Sequence, residues 1–295
     1  MQEFYDSIER DRGLSADEVN RFLDRLVTHL HAIPADMKYQ YLGPEVEAFY
    51  GETGLKDCIP FHRLLMSRLL ETFRMDRLFL KAPASLTCLY EAEFDRIRRT
   101  LREEAFSCGW DNDIFVKDVA ITTGRLIPAG PGLLQVSGVP RRLLVRKGPG
   151  QFFGLVSMLL FGLKGREPLL TVHMHMANVK QFTPEGWEEF YRITSEILEL
   201  NPDMKGLMRH AWFFDPEITG ISPKLAYLRE IPEKNGAKIY YFCDQGADSG
   251  ALIRSATRRT LFETGKYTPR VYYLLWPRDR LIAYARMFRS TGNGD

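Results

Sequence analysis

GLMRHAWFFDPEITGISPKLAYLREIPEKNGAKIYYFCDQGADSGALIRSATRRTLFETGKYTPRVYYLLW, residues Gly206 to Trp276, is the stretch on which the reading of this chain turns. Apolar, β-branched and aromatic runs over Gly206 to Phe214, Ala237 to Cys243 and Arg270 to Trp276 predict three strands. Helical spacing over Ser222 to Ile231 and Gly250 to Glu263 predicts two helices between them, with turns at Gly220, at Asn235-Gly236 and at Gly265. The order is strand, glycine turn, helix, Asn-Gly turn, strand, helix, glycine turn, strand: a single α/β unit.

The first of those turns carries the chemistry. A helix N-terminus has unpaired backbone N–H groups and a partial positive charge, so it accepts phosphate oxygens wherever small residues let the backbone come close. Gly220 supplies the freedom, and Ser222 before Pro223 is a cap followed by a favourable first helical residue. Thr219, Gly220, Ile221 and Ser222 are therefore candidate anion-binding residues, and Phe213 and Phe214 at the strand end and Arg258 on the later helix are grouped with them as candidates for the same site. Arg254, Arg258 and Arg259 recur on that helix as a possible phosphate clamp or a solvated face.

These motifs resemble the GNAT superfamily of N-acyltransferases, whose pyrophosphate loop follows the pattern (Gln/Arg)-x-x-Gly-x-(Gly/Ala) and enters a helix. The matching positions are Glu217 to Ser222; NGAKIYYF resembles the entry to the family's fifth strand, and RRTLFETGKY the helix ending in its Leu-Tyr-x-x-x-Gly-Phe run. The chain departs from the pattern at Glu217, in place of Gln or Arg, at Pro232 inside the helix, and at Phe262, where the family often carries a general-acid tyrosine. Tyr267 lies a few residues on. The resemblance implies transfer of an acyl group from a thioester donor, acyl-CoA or an acyl-carrier protein, to a small-molecule amine by direct attack, with no metal. Related alternatives are an aminoacyl-tRNA-dependent aminoacyl transferase and a non-catalytic binding protein that keeps the fold.

Upstream, Val145-Arg146-Lys147-Gly148-Pro149-Gly150 repeats the small-residue spacing before a predicted helix. It reads either as a second phosphate loop, in a chain of two fused GNAT-like halves, or as a glycine-proline turn with solvated arginines. For proton transfer, His210 on the strand and Asp215 at its end are the candidate bases, with Tyr267 the remaining candidate acid. His173 and His175, two apart on a predicted strand over Leu169 to Met176, suit a proton relay, and no third metal ligand follows at a recognisable spacing.

The rest of the chain frames this unit. Ser15 to Leu30, Phe61 to Leu80 and Tyr90 to Phe106 have helical periodicity, the first opening on a capping serine. Past Gly109 the texture changes, and Ile114 to Thr122, Arg125 to Val136 and Arg141 to Arg146 predict strands. Helices at Gln151 to Leu163 and at Pro184 to Leu200, the latter capped by Thr183, complete the expectation. It is an α+β chain, with a helical region over 1–110 and a GNAT-like mixed α/β domain over 111–295 built on a twisted, largely antiparallel sheet.

Of 295 residues 45% are apolar, enough for an ordered core throughout, and 40 Lys and Arg against 38 Asp and Glu give no global field for DNA or an anionic membrane. Local patches must carry any such case. Cys58, Cys88, Cys108 and Cys243 form no CxxC pair, and the first residues lack the apolar core of a secretory signal, so a reducing, cytoplasmic setting is expected. The greasy run Phe152 to Leu163, broken by Gly154, Ser157 and Gly162, is shorter than the ~20 residues a bilayer span needs and reads as a buried or interfacial helix.

Overall fold

The computed structural model describes residues 1–103, 108–253 and 255–291, with 288–291 as backbone only. Phe106 and Arg254 lie outside the described residues. The chain forms two compact units, residues 1–135 with 174–180 and residues 136–173 with 181–295. The sequence texture changes near residue 110, but the first unit extends past it because a helix over Asp113–Thr122 and most of a hairpin belong to the helical unit.

The first unit holds α1 (Gln2–Arg12), α2 (Ala16–Ala32), α3 (Pro44–Thr53), α4 (Ile59–Thr72), α5 (Ser85–Thr100) and α6 (Asp113–Thr122), then β1 (Ile127–Ala129) and β2 (Gly132–Ser137), the last crossing into the second unit. Ser15 and Glu18 cap α2 reciprocally, and Val19, Leu23, Leu26 and Leu30 form its buried stripe. The strand expected over Ile114 to Thr122 is instead α6. Asn112 accepts from the amides of Ile114 and Phe115, and every residue from Phe115 to Thr122 is buried, so a helix enclosed on all sides showed no helical period. The strand expected over Arg125 to Val136 is the β1–β2 hairpin, broken at Gly130 with φ of 68°.

The second unit begins with a 3-10 turn at Arg141–Val145 where a strand was expected, followed by α7 (Gly148–Ser157), which continues through a π-helical turn at Met158–Gly162. Then come β3 (Leu169–Met174), α8 (Pro184–Leu200), β4 (Gly206–Ala211), α9 (Ile218–Ile221), α10 (Tyr227–Lys234), β5 (Lys238–Asp244), α11 (Gly250–Ile253), α12 (Ala256–Glu263), β6 (Arg270–Pro277) and α13 (Arg278–Thr291). β3 runs parallel to β4, whereas β6 is antiparallel to both β4 and β5, giving the order β3-β4-β6-β5.

Alternation along β4 separates two cores. Met208 packs with Tyr273 and Leu275 of β6, Tyr240 of β5 and Leu155 and Met158 of the α7 segment. On the other face Arg209 lies over Trp187 of α8, and Trp276 stacks edge-on against Tyr191 and meets Tyr284 of α13. Trp276 is fully buried and donates from Nε1 to the Asn235 carbonyl. Where β4 opens against the end of β6, a Cβ on Gly206 (φ 150°) would sit 2.2 Å from the Trp276 carbonyl oxygen. Gly206→Ala is expected to cost about 1–3 kcal/mol through backbone strain, read as a lowered urea midpoint with unchanged slope.

Candidate functional site

The start of α7 is an open turn of the second unit, without a side-chain cap. Lys147 occupies the N-cap position without a side-chain cap, Gly148 takes φ of 74°, and Pro149 stands in the first turn. Added Cβ atoms at Gly148 and Gly150 would meet nothing within 4 Å, so the backbone faces open space. Gln151 fastens this turn to β5: its Nε2 donates to the Tyr241 carbonyl at 2.9 Å and its Oε1 accepts from the Tyr241 amide at 2.9 Å. One turn on, Tyr240 donates to the Gly154 carbonyl at 3.2 Å. Cations surround the corner. Arg142 and Arg146 lie over the Phe242 ring at 4.6 and 5.0 Å, and Lys147 over Tyr241 at 5.1 Å. The turn thus combines a helix dipole, amides without a side-chain cap and three cations held on aromatic rings, features that favour an anion.

His210 faces the same side of the sheet as Met208. Paired opposite Tyr273, it stacks on that ring at 5.1 Å with planes 22° apart. Dehydration by its neighbours, then the charges of Arg209 and Arg142, lower its pKa below the ordinary imidazole value. The side chain is exposed, and the lowered pKa favours the neutral ring, the form that accepts a proton.

The turn expected to hold phosphate is organised differently. Residues Ile218–Ile221 form one α-turn in which the amides of Gly220 and Ile221 donate to the Glu217 carbonyl and that of Ser222 to Ile218. Those N–H groups are engaged, so the expected open loop past Thr219 is a closed helical turn. Phe213 and Phe214 are buried against Arg209. Arg258 lies over Trp212 at 4.5 Å and donates to Ser222 Oγ at 2.8 Å, tying α12 to the turn. Asp215 is fully buried, 3.6 Å from Arg270, and burial raises its pKa; Arg270 also pairs with Glu217. The Tyr267 hydroxyl is buried with no hydrogen-bond partner among the described residues, and burial raises its pKa. The structure brings Asp215, Ser222, Arg258 and Tyr267 into one neighbourhood, but as packing around the turn. Pro232 sits inside α10, which runs on to Lys234.

His173 is half-buried on β3. His175 falls beyond the strand and belongs to the first unit, where it is 1% exposed. Its Nδ1 accepts from the Ala177 amide, so the proton resides on Nε2 and is donated to Asp118 at 3.1 Å. Arg96 grips Asp118 with both terminal nitrogens and Glu93 through Nε at 2.7 Å. This buried network was illegible in sequence, because apart from the neighbours Glu93 and Arg96 its members lie 22 or more positions apart along the chain. Among the described residues, no three His, Cys, Asp or Glu side chains come together to hold a metal.

Two solved acyltransferase structures share this fold. One, an acyltransferase in complex with decanoyl-CoA, matches with a TM-score of 0.51 at 13% identity, over 92% of this chain and 82% of its own. Another, an acyltransferase in complex with CoA and 10C-Teicoplanin, matches with a TM-score of 0.51 at 11% identity, over 92% of this chain and 80% of its own. No family model and no curated protein matches the sequence.

Around α7 and β4, the groups that sequence reading missed are Arg142, Gln151, Phe242 and Tyr273. The signal for the first two was present in RRLLVRKGPGQ, whereas the aromatic partners come from strands about 90 and 130 residues downstream. Because Arg142 helps to hold the His210 pKa down, Arg142→Gln is expected to raise it, measured by NMR titration of the imidazole C–H resonances.

Proposed function

We propose that the chain transfers an acyl group from acyl-CoA to the amine of a small acceptor, with the donor's pyrophosphate on the α7 N-terminus. The observation that carries this reading is the uncapped turn at Gly148 and Gly150, ringed by Arg142, Arg146 and Lys147. The complexes of the two similar acyltransferases with CoA or an acyl-CoA support the choice of donor. The closed turn at Ile218–Ile221 argues against placing the pyrophosphate there.

In the reaction, the amine nitrogen forms a bond to the thioester carbonyl carbon and the carbon–sulfur bond breaks. His210 takes the surplus proton of the attacking nitrogen and returns it to the departing thiolate. Holding donor and acceptor side by side supplies the remaining acceleration by positioning. His210→Ala is expected to lower kcat/KM about 10²-fold or more and to remove the acidic limb of the pH profile. In the wild type that limb lies below the ordinary imidazole range, since the folded pKa is depressed and the base is lost only as pH falls through it.

Donor binding is tested by calorimetry with acyl-CoA. Gly150→Glu places a carboxylate at the phosphate corner, where a Cβ has room, and is expected to weaken binding at least about tenfold without unfolding the protein. Gly220→Trp, at a turn whose amides are already engaged, is expected to leave affinity unchanged. Equal loss in both variants, or no binding by the wild type, overturns the assignment.

A further inference from the structure

The helical segment that begins at the donor corner is apolar on two sides. Leu155, Met158 and Leu163 point into the core of the second unit. The outward side also carries large apolar groups: Phe153 is 68% exposed, Leu160 61% and Phe161 78%, with Phe152 beside them. Phe153 and Leu160 are two turns apart, and the π-helical turn at Met158–Gly162 shifts the stripe by a residue so that Phe161 joins it. A surface helix of a soluble core ordinarily turns charged residues outward, yet from Phe152 to Leu163 the chain has none. An exposed apolar face of this kind marks an interaction surface.

Its rim identifies the occupant. Between Asp118 and Glu167 the chain has no acidic residue, while Arg141, Arg146 and Lys147 precede the apolar stretch and Lys164 and Arg166 follow it. A nearly neutral protein, with a formal net charge of +2, thus places basic side chains at both ends of one greasy helix, Arg166 among them pairing with its neighbour Glu167. No described helix is long and apolar enough to cross a membrane. We propose that this face of α7 docks on an anionic lipid bilayer, rings inserted among the acyl chains and flanking cations at the headgroups. A bilayer satisfies both features together, because lipid tails ask for no hydrogen bonds from the stripe and headgroups supply anions to its two ends. The inference does not rest on the acyl-CoA reading.

The full chain is sedimented with vesicles of phosphatidylcholine containing phosphatidylglycerol, and with vesicles of phosphatidylcholine alone. Co-sedimentation with the anionic vesicles, weakened by salt, is expected. Phe153→Ser with Phe161→Ser, and separately Arg141→Glu with Lys164→Glu, are each expected to reduce it about tenfold. All these side chains are outside the core, so both double variants should melt like the wild type and keep acyl-CoA binding. The proposal is overturned if the wild type stays in the supernatant, or if either double variant sediments as the wild type does. A wild-type dimer that the phenylalanine variant dissociates would also overturn it, since a second copy would then cover the face.

Discussion

The antiparallel register of β4 with β6 is the constraint on which the second unit depends. With Gly206 opposite Pro277 and His210 opposite Tyr273, Met208 and His210 face α7, while Leu207 and Arg209 face α8. A slip of one residue would exchange these faces, burying an imidazole among the rings of α8 and presenting Arg209 to the α7 side. Gly206 guards the register at its end, because its missing side chain lets the backbone pass the Trp276 carbonyl. Chemistry and packing are therefore two readings of one ladder.

The same ladder explains an uncommon burial. Arg209 is 3% exposed, and its two terminal nitrogens have no hydrogen-bond partner among the described residues. Aromatic faces take the place of a counter-ion: the guanidinium lies 3.7 Å from the Trp187 ring and 4.4 Å from that of Phe213. Burial without a paired carboxylate pushes its pKa down to about 9. The first unit handles buried charge in the opposite way, surrounding Arg96 with Glu93 and Asp118 and ending on His175. Exposed pairs such as Arg25 with Glu52 add little by comparison, since water and salt screen them.

In α7 three demands meet on one short helix. Its first turn has no Ser or Asp cap, small residues taking that place, and on the proposed reading this leaves the amides to an anion. Gln151 then supplies the rigidity that such a turn lacks, by closing two hydrogen bonds on the Tyr241 backbone. The inner side fills the core, and the outer side is apolar as well, which is why this stretch looked at once buried and interfacial in the sequence.

Elements with a regular period were legible from the chain alone. α2 with its Ser15–Glu18 cap, α8 behind Thr183, and the strands at 206–211, 238–244 and 270–277 form where spacing and caps place them, because local backbone preference and burial ask for the same structure. Local signals failed where the environment was uniform or the partner distant. α6, buried along almost its whole length, carries no period, and the turn at Gly220 closes on itself because a one-turn helix at Ile218–Ile221 satisfies its amides. Sequence determined an α+β chain, a glycine-opened helix start at Lys147 to Gly150 and an imidazole on a central strand. Only tertiary structure decided which glycine turn stays open and what stands beside His210, because both depend on hydrogen bonds and ring contacts between residues far apart along the chain.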